Sequence, residues 1–198
     1  MKKVIFILAG FIISFSSYAY GSDWRPYIGI GAQASIATAS VENPDNSVWG
    51  SETATIFGGV YDFSVGLKRD RFRMEVNYFN RVSVNDTISW FVAGVVTSTS
   101  EQGMLLNLYY DYVSGDFFSM YAGFGAGFSS WKQSVRNIYF ADYNFDRSGT
   151  DFCFALYLLN MSFSMDPISV DLGLLNWQHT GGINLNGVNF RLGMRYTF

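Results

Sequence analysis

Few residues in this chain could begin acid–base or nucleophilic chemistry, because it contains one histidine and one cysteine. His179 could act as a general base if a nucleophile and an orienting carboxylate lay beside it, as a serine–histidine–acid triad requires. The residues that follow it are Thr180, Gly181 and Gly182, so no serine stands directly after the imidazole. Cys153 has no second cysteine to pair with, which excludes a disulfide framework and a cysteine-based zinc site. The sequence therefore predicts no enzymatic site, no metal site and no cofactor.

The composition sets the broad class of the protein. Of 198 residues, 49% are apolar and 19% aromatic, whereas only 15% are charged; soluble domains have roughly 25% charged residues. This composition excludes an intrinsically disordered chain and a coiled coil. A formal net charge of -3 provides no basic face for nucleic acid. The length is that of one domain.

The N-terminus predicts export from the cytoplasm. Lys2 and Lys3 precede an apolar run over residues 4–13, and the small-x-small sequence Ser17–Tyr18–Ala19 follows. This order is typical of a cleaved secretory signal peptide. The apolar run is half as long as the roughly 20 residues that a membrane-spanning helix needs. We expect residues 1–19 to be a signal peptide and residues 20–198 to form one mature domain.

After residue 20 the polar and apolar residues alternate with the period of two that indicates β-strands. In the last such segment every second residue from Val188 to Phe198 is apolar, while Arg191 and Arg195 lie on the other face. In segment 120–128 one face is made of Tyr121 and three glycines, which suits a narrow barrel interior. Alternation predicts eight strands, over residues 24–36, 53–67, 71–81, 104–112, 120–128, 151–163, 170–174 and 188–198. The segment 151–163 is apolar on both faces, which leaves its register open.

The connections between these strands alternate in length. Short turns at 68–70, 114–116 and 166–167 alternate with long stretches at 37–53, 82–102, 129–150 and 178–186. Short periplasmic turns and long extracellular loops are typical of barrels that span the bacterial outer membrane. A soluble barrel would instead turn its apolar faces inward and its charged faces outward. We therefore expect an all-β, eight-stranded antiparallel transmembrane β-barrel of up-and-down order, with both mature termini in the periplasm.

The charged residues of the polar faces should then point into the barrel. Side chains fill the interior of an eight-stranded barrel, and charges removed from water must be paired. We expect a polar network of arginine–carboxylate bridges there, and we favour this satisfied core over an ion path or a catalytic carboxylate. The predicted members are Asp62, Arg73, Glu75, Asp111, Asp171, Arg191 and Arg195.

The C-terminal residues resemble the terminal signal of bacterial outer-membrane proteins. That signal places a polar residue, a glycine, an aromatic residue and a final aromatic residue at fixed spacing, here Arg191, Gly193, Tyr196 and Phe198. In those proteins the barrel-assembly machinery recognises the last strand, and the terminal phenylalanine matters most. The resemblance implies this machinery as a partner, together with outer-membrane lipid and lipopolysaccharide.

The mature chain as a whole resembles the eight-stranded outer-membrane barrels of the opacity-protein and OmpA/OmpX-like group. The strings that carry the resemblance lie at residues 26–31, 72–78, 108–112 and 121–127. They specify a barrel rather than an activity, since the group includes adhesins, surface antigens, complement-resistance factors and structural anchors.

The segment 178–184 faintly resembles the His-x-Ser-Asn segment of outer-membrane lipid A deacylases. Gly181 stands where the nucleophilic serine should be, and the final strand has no carboxylate. Without both groups the triad fails. We therefore expect His179 to be a loop residue without a catalytic role.

Any function should lie in the long extracellular loops, two of which are rich in apolar and aromatic residues. Exposed patches of this kind mark interaction surfaces; the alternative is that the strands project beyond the membrane and these residues pair and pack there. We expect Trp24, Trp131 and Trp177 to lie in the aromatic girdle at the membrane interface. The candidate contact residues are Trp90, Phe91, Tyr139, Phe140, Tyr143 and Phe145.

These features predict a non-enzymatic surface protein: an adhesin or surface antigen that binds a host-cell or extracellular ligand, or an envelope-stabilising barrel. The first alternative is a small pore or a channel for hydrophobic solutes. The second is an enzyme that modifies lipid A.

Overall fold

The computed structural model describes residues 23–41, 52–82, 85–89, 94–137, 144–181 and 186–198. These residues form nine β-strands: β1 (Arg25–Val41), β2 (Glu52–Arg69), β3 (Phe72–Val82), β4 (Asn85–Ser89), β5 (Gly94–Ser114), β6 (Phe118–Asn137), β7 (Phe145–Met165), β8 (Ile168–His179) and β9 (Asn186–Thr197). Within the same ranges, the structure contains no helix of the length and hydropathy needed to cross a membrane.

The strands close into a barrel. Neighbours pair in antiparallel register throughout, and β1 pairs with β9, so the sheet meets itself. Both β3 and β4 lie along β5: β3 pairs with Glu101–Tyr110, and β4 pairs with Gly94–Ser98. The two short strands therefore occupy one position in the barrel wall. The result is a closed antiparallel barrel of eight strands in up-and-down order, which confirms the predicted fold class.

The two faces of the sheet differ sharply in polarity. Along β9, Phe190, Leu192 and Met194 point outward and are 52%, 51% and 47% exposed, whereas Arg191 and Arg195 between them are buried. The same inversion occurs around the whole wall, since the exposed side chains include many Phe, Leu, Tyr and Met. An apolar exterior with a polar interior is the arrangement required of a barrel whose outer surface contacts hydrocarbon.

A β-bulge at Leu158 sets the register of β7, which the sequence leaves open. Before the bulge, Cys153, Ala155 and Tyr157 are buried in the interior; after it, Asn160 and Ser162 are. A bulge inserts one extra residue into one strand, so the parity of inward and outward residues reverses there. This reversal explains why residues 151–163 look apolar on both faces.

The interior is narrow enough that large side chains require glycine opposite them. A Cβ atom at Gly123 would collide with the ring of Tyr109, and a Cβ atom at Gly125 would collide with the side-chain amide of Asn107. The row of small residues predicted for the inner face of β6 is therefore confirmed, and it provides the space that the large residues of β5 fill.

Several strands extend past the segments predicted from sequence. β5, β6 and β7 contain 21, 20 and 21 residues, against 12 in each of β8 and β9. The prediction of long loops at 82–102 and 129–150 is thus wrong for most of these residues, which continue as paired strands. Continued pairing satisfies the backbone N–H and C=O groups of these polar segments without an apolar core.

The barrel wall predicts how position along β9 affects stability. Leu192→Arg should lower the free energy of unfolding by roughly 2–4 kcal/mol, because it places a guanidinium in the middle of the apolar exterior. Val188→Arg, at the end of the apolar row, should cost no more than about 1 kcal/mol, because the arginine can reach the interface. Equilibrium urea unfolding in lipid vesicles measures both. Equal costs at the two positions would contradict the assignment of the outer face.

Candidate functional site

Two ion pairs in which both side chains are buried lie in the interior near the short turns. Arg195 of β9 donates from Nε and Nη2 to the carboxylate of Asp171 on β8, over 2.6 and 2.9 Å, and its Nη2 also donates to Ser162. Arg73 of β3 donates to Asp111 of β5 over 2.9 Å. All four charged side chains are almost fully buried. Burial makes each pair dependent on its partner, because an unpaired charge there would be strongly destabilising.

The next layer centres on the carboxylate of Asp62. Arg191 donates to it from two nitrogens, over 2.7 and 3.2 Å, and the side-chain amides of Gln33 and Asn77 donate over 3.0 and 3.1 Å. Four donor nitrogens from three strands, β1, β3 and β9, thus bind one acceptor carboxylate on β2 and connect one side of the barrel. Such a fully satisfied network rigidifies the wall that contributes to it.

Glu75 also lies in this layer but does not form the predicted bridge to an arginine. It accepts hydrogen bonds from the hydroxyl groups of Tyr27 and Tyr109, over 2.9 and 2.6 Å, and from the amide of Asn107. The structure thus places all seven predicted network residues inside the barrel, and it pairs six of them as arginine–aspartate bridges. The donors to Glu75 are two tyrosine hydroxyl groups and one asparagine amide.

An apolar layer separates these groups from the end of the barrel where the long strands project. Phe79 packs edge-on against Trp177 with ring centroids 4.4 Å apart. Its members are less than 5% exposed: Val60, Phe79, Leu105, Tyr157, Leu175 and Trp177. These residues belong to one apolar cluster of the barrel interior.

The position of Trp177 corrects one prediction, and so does that of Trp131. Neither lies in an interfacial girdle: Trp177 is 1% and Trp131 5% exposed, and both face the interior. They share the parity of inward residues on their strands, so the alternation of β6 and β8 sends them inward. Trp24, which precedes β1, is partly exposed.

Beyond the apolar layer lies a second buried charge cluster that the sequence did not predict. Glu101 of β5 contacts His179 Nε2 over 2.5 Å and accepts a hydrogen bond from Arg81 Nε over 3.1 Å. Arg81 also donates to Ser35 of β1 over 2.6 Å. His179 is therefore the last residue of β8 rather than a loop residue, and a carboxylate does lie beside it. Glu101 was missed because it is 78 residues away and falls in a segment predicted as a loop.

The cluster has two of the three groups of a catalytic triad but not an accessible setting. Both the imidazole of His179 and the carboxylate of Glu101 have no exposed side-chain surface. A general base that acts on a lipid must lie at the outer face of the barrel, whereas the side chain of His179 points into the interior. The side chains of the cluster instead connect four strands, β1, β3, β5 and β8, through hydrogen bonds and ion pairs.

Three long strands continue past this cluster as a polar sheet, here named the projecting sheet: residues 94–100 of β5, 130–137 of β6 and 145–151 of β7. Its exposed side chains include Lys132, Arg136 and Asp146, and the last two form an ion pair of 2.7 Å. Of the candidate contact residues, Trp90, Phe91, Tyr139, Phe140 and Tyr143 lie outside the described residues, and Phe145 is the first residue of β7.

Strands β7 and β8 extend to different lengths at this end of the barrel. Residues 145–151 of β7 pair with β6, but the pairing of β7 with β8 begins only at Cys153 and His179. The amide of Thr180 adds one bond to the carbonyl of Phe152. β7 therefore extends beyond the last residue of β8.

The C-terminal residues of the predicted assembly signal divide between the two faces. Arg191 points inward to Asp62, while Tyr196 and Phe198 point outward with ring centroids 5.1 Å apart. The ring of Phe198 is 63% exposed, and its amide donates to the carbonyl of Pro26 over 2.9 Å. At Gly193 a Cβ atom would meet its nearest neighbour at 3.5 Å, an ordinary contact. Packing therefore requires neither the ring of Phe198 nor the glycine.

Comparisons with known proteins agree on the fold. No family model matches the chain, and no curated protein matches it in sequence. Among solved structures, Neisserial surface protein A superposes with a TM-score of 0.54 at 16% identity, over 89% of this chain and 98% of that one. Ail, the attachment invasion locus protein of Yersinia pestis, gives 0.53 at 11% identity, over 88% and 98%. The outer membrane protein OprG from Pseudomonas aeruginosa gives 0.50 at 13%, over 88% and 96%. The chain has the fold of the eight-stranded outer-membrane barrels.

The Arg195–Asp171 pair predicts an asymmetric response to mutation. Asp171→Leu leaves a buried guanidinium unpaired and should lower the free energy of unfolding by about 3–5 kcal/mol. The double variant Asp171→Leu/Arg195→Met should recover most of this loss, because it buries no charge. Asp146→Asn, in an exposed pair, is the control and should leave the unfolding curve unchanged. If the double variant is as unstable as the single one, the pair is not what limits the stability of this layer.

The C-terminal geometry predicts that assembly and stability respond separately. Phe198→Ala should sharply reduce the amount of assembled protein in cells, while barrels refolded from urea into detergent stay about as stable as wild type, since the ring is largely exposed. Gly193→Ala should likewise leave the stability of refolded barrels unchanged. Heat-modifiable gel mobility measures both quantities. Normal assembly of the Phe198→Ala variant in cells would show that these residues are not a recognition signal.

Proposed function

We propose that this chain is exported with cleavage of residues 1–19 and inserted in the bacterial outer membrane with both mature termini in the periplasm. We propose further that it is a non-enzymatic surface protein that binds a partner outside the cell through its projecting sheet. The inverted polarity of the barrel wall supports the location. The short turns lie at the end opposite the projecting sheet, which supports the orientation.

The observation that carries the proposal is the polar sheet that β5, β6 and β7 form beyond the apolar exterior. Pairing between the strands positions the exposed side chains of this sheet, and those of Lys132 and Ser148 can make polar contacts with a partner. In sequence, Trp90 and Phe91 join β4 to β5, and Tyr139, Phe140 and Tyr143 join β6 to β7, so the candidate aromatic contacts adjoin this sheet.

The similar structures are compatible with a surface role. One of them is named a surface protein and another an attachment invasion locus protein. At 16% and 11% identity, these similarities show only a shared fold. The partner of this chain therefore has to be identified by experiments on this protein.

The two alternative functions, a channel and a lipid A-modifying enzyme, each require a structural feature. A pore or hydrophobic-solute channel needs a continuous path, whereas Phe79, Leu105 and Trp177 pack in a buried apolar cluster inside the barrel. A lipid A-modifying enzyme needs a base that reaches the lipid, whereas His179 is enclosed with Glu101. A steady conductance in planar bilayers would favour the channel, and loss of an acyl chain from lipid A in expressing cells would favour the enzyme.

Removing the projecting part of one hairpin tests the binding role. Lys132 and Ser148 face each other across β6 and β7, so residues 133–147 can be replaced by Asn-Gly, a two-residue hairpin turn, without changing the register below. Bacteria that display the intact protein should attach to cultured host cells or immobilised extracellular-matrix glycoproteins well above vector-only bacteria. The shortened variant should attach no better than the vector.

The control for this experiment is the barrel itself. The shortened variant must show wild-type heat-modifiable mobility and equal abundance in the outer membrane, because the deletion leaves the barrel wall intact. A full-length variant with Asp146→Asn, which changes one exposed charge, serves as the matched surface control. Equal attachment by intact and shortened proteins would refute a role for this hairpin, and attachment of the intact protein at the vector level would refute the adhesin proposal.

A further inference from the structure

A groove of about 950 Å³ crosses the outer face of the barrel near its short-turn end, here named the basal groove. It runs over β3, β5 and β6, and its apolar wall includes Phe72, Leu108, Tyr110, Ala122 and Phe124. Four of these five are large side chains that are 42–59% exposed. Its lining also includes Arg73 and Tyr109, which are buried members of the interior network. The groove is separate from the projecting sheet, so the proposed binding surface does not account for it.

The groove results from one small residue in a row of large ones. Cross-strand register places Phe72 beside Tyr110 and Tyr110 beside Ala122, and the rings of Phe72 and Tyr110 lie 5.1 Å apart. In the neighbouring row Leu108 stands beside Phe124. Ala122 contributes only a methyl group between these side chains. A trough with aromatic and aliphatic walls is therefore left on a surface that faces hydrocarbon.

The end of the groove nearest the turn is basic and aromatic. Trp24 and Arg69 line it there, and Arg71 is exposed in the same turn. Lys68 forms an ion pair with Asp111 of the interior over 3.6 Å. The other basic residues of 23–25 and 68–71 are Arg25, Arg69 and Arg71, which exceed the acidic Asp23 and Asp70 by one charge. The other turns of this end instead expose the acidic Asp116 and Asp166. Positive charge is thus concentrated at the turn that adjoins the groove.

We propose that the basal groove binds one anionic glycerophospholipid of the periplasmic leaflet, with an acyl chain over Ala122 and the phosphate at Arg69. The proposal rests on the outer-membrane location and orientation argued above. Volumes of roughly 300–1,000 Å³ are typical of small-molecule sites, and tryptophan is typical of the headgroup level at which Trp24 would lie. Basic clusters beside a membrane attract anionic headgroups.

Arg69 remains available to a phosphate although it is ion-paired. Its contacts with Asp23 and Asp70 measure 3.4 and 4.0 Å, and both carboxylates are more than 80% exposed. Exposed pairs of this kind contribute little. A phosphate held by Arg69 can also take up bidentate geometry, which neither carboxylate has here. Lipopolysaccharide is the less suitable occupant, because it lies in the opposite leaflet from this turn.

Native mass spectrometry of the intact mature barrel tests the site. The protein is reconstituted in nanodiscs of phosphatidylethanolamine with a minor fraction of phosphatidylglycerol, and the lipids that remain bound on release are counted. Wild type should retain one phosphatidylglycerol in excess of its share of the bilayer. Arg69→Gln should reduce that enrichment roughly fivefold, as expected for loss of one exposed charge contact of about 1 kcal/mol. Ala122→Trp should abolish it by filling the trough.

Two variants control for general effects of charge and bulk. Arg136→Gln removes an exposed arginine from the projecting sheet, and Ala34→Trp enlarges an exposed alanine of β1, away from the groove. Both should retain the enrichment, and all four variants should show wild-type heat-modifiable mobility. The proposal is overturned if wild type shows no excess of phosphatidylglycerol, if phosphatidylethanolamine is retained equally, or if the controls lose as much as the groove variants.

The outcomes separate this site from the function of the projecting sheet. If the enrichment is absent while the protein fractionates with the outer membrane and mediates attachment, the groove proposal alone fails. If the enrichment depends on Arg69 and Ala122 while attachment is absent, the adhesin proposal alone fails. Recovery of the protein in the soluble periplasm would overturn both.

Discussion

The interior of an eight-stranded barrel has room for side chains and little else, and this constraint governs the rest of the molecule. Every charge that alternation turns inward must find a partner within reach across that narrow space. Arg195 meets Asp171, Arg191 meets Asp62 and Arg81 meets Glu101, each between different strands. Because these partners are far apart in sequence, their pairing constrains which strands are neighbours and in what register.

The same shortage of space explains features that look unrelated in sequence. Glycine at positions 123 and 125 leaves the volume that Tyr109 and Asn107 occupy. The bulge at Leu158 lets β7 keep apolar residues in the central layer and polar ones near the short turns. On the outer face, where space is not limited, a single alanine among large residues leaves a groove. The crowded interior and the groove on the outer face therefore both follow from the distribution of large and small side chains.

Alternation in the sequence predicted the eight strands, their antiparallel order and the inward direction of seven charged residues, because a period of two depends only on local geometry. It could not predict which charges meet. Glu75 pairs with tyrosines, and His179 pairs with Glu101, through contacts that depend on barrel closure. Trp177 was assigned to the interface by residue type, whereas its parity places it inside. The projecting strands were missed because polar strands beyond the membrane lack the apolar row that identifies the others.

The barrel depends on a strict separation of an apolar exterior from a filled interior, and the environment of Trp177 tests this separation most directly. In vesicles of lipid with brominated acyl chains, a variant whose only tryptophan is Trp177 should be quenched weakly, because the barrel wall separates the indole from the lipid. A tryptophan-free protein carrying Leu174→Trp, an outward position on the same strand, should be quenched strongly. Equal quenching of the two would place Trp177 against lipid and contradict the assignment of the two faces.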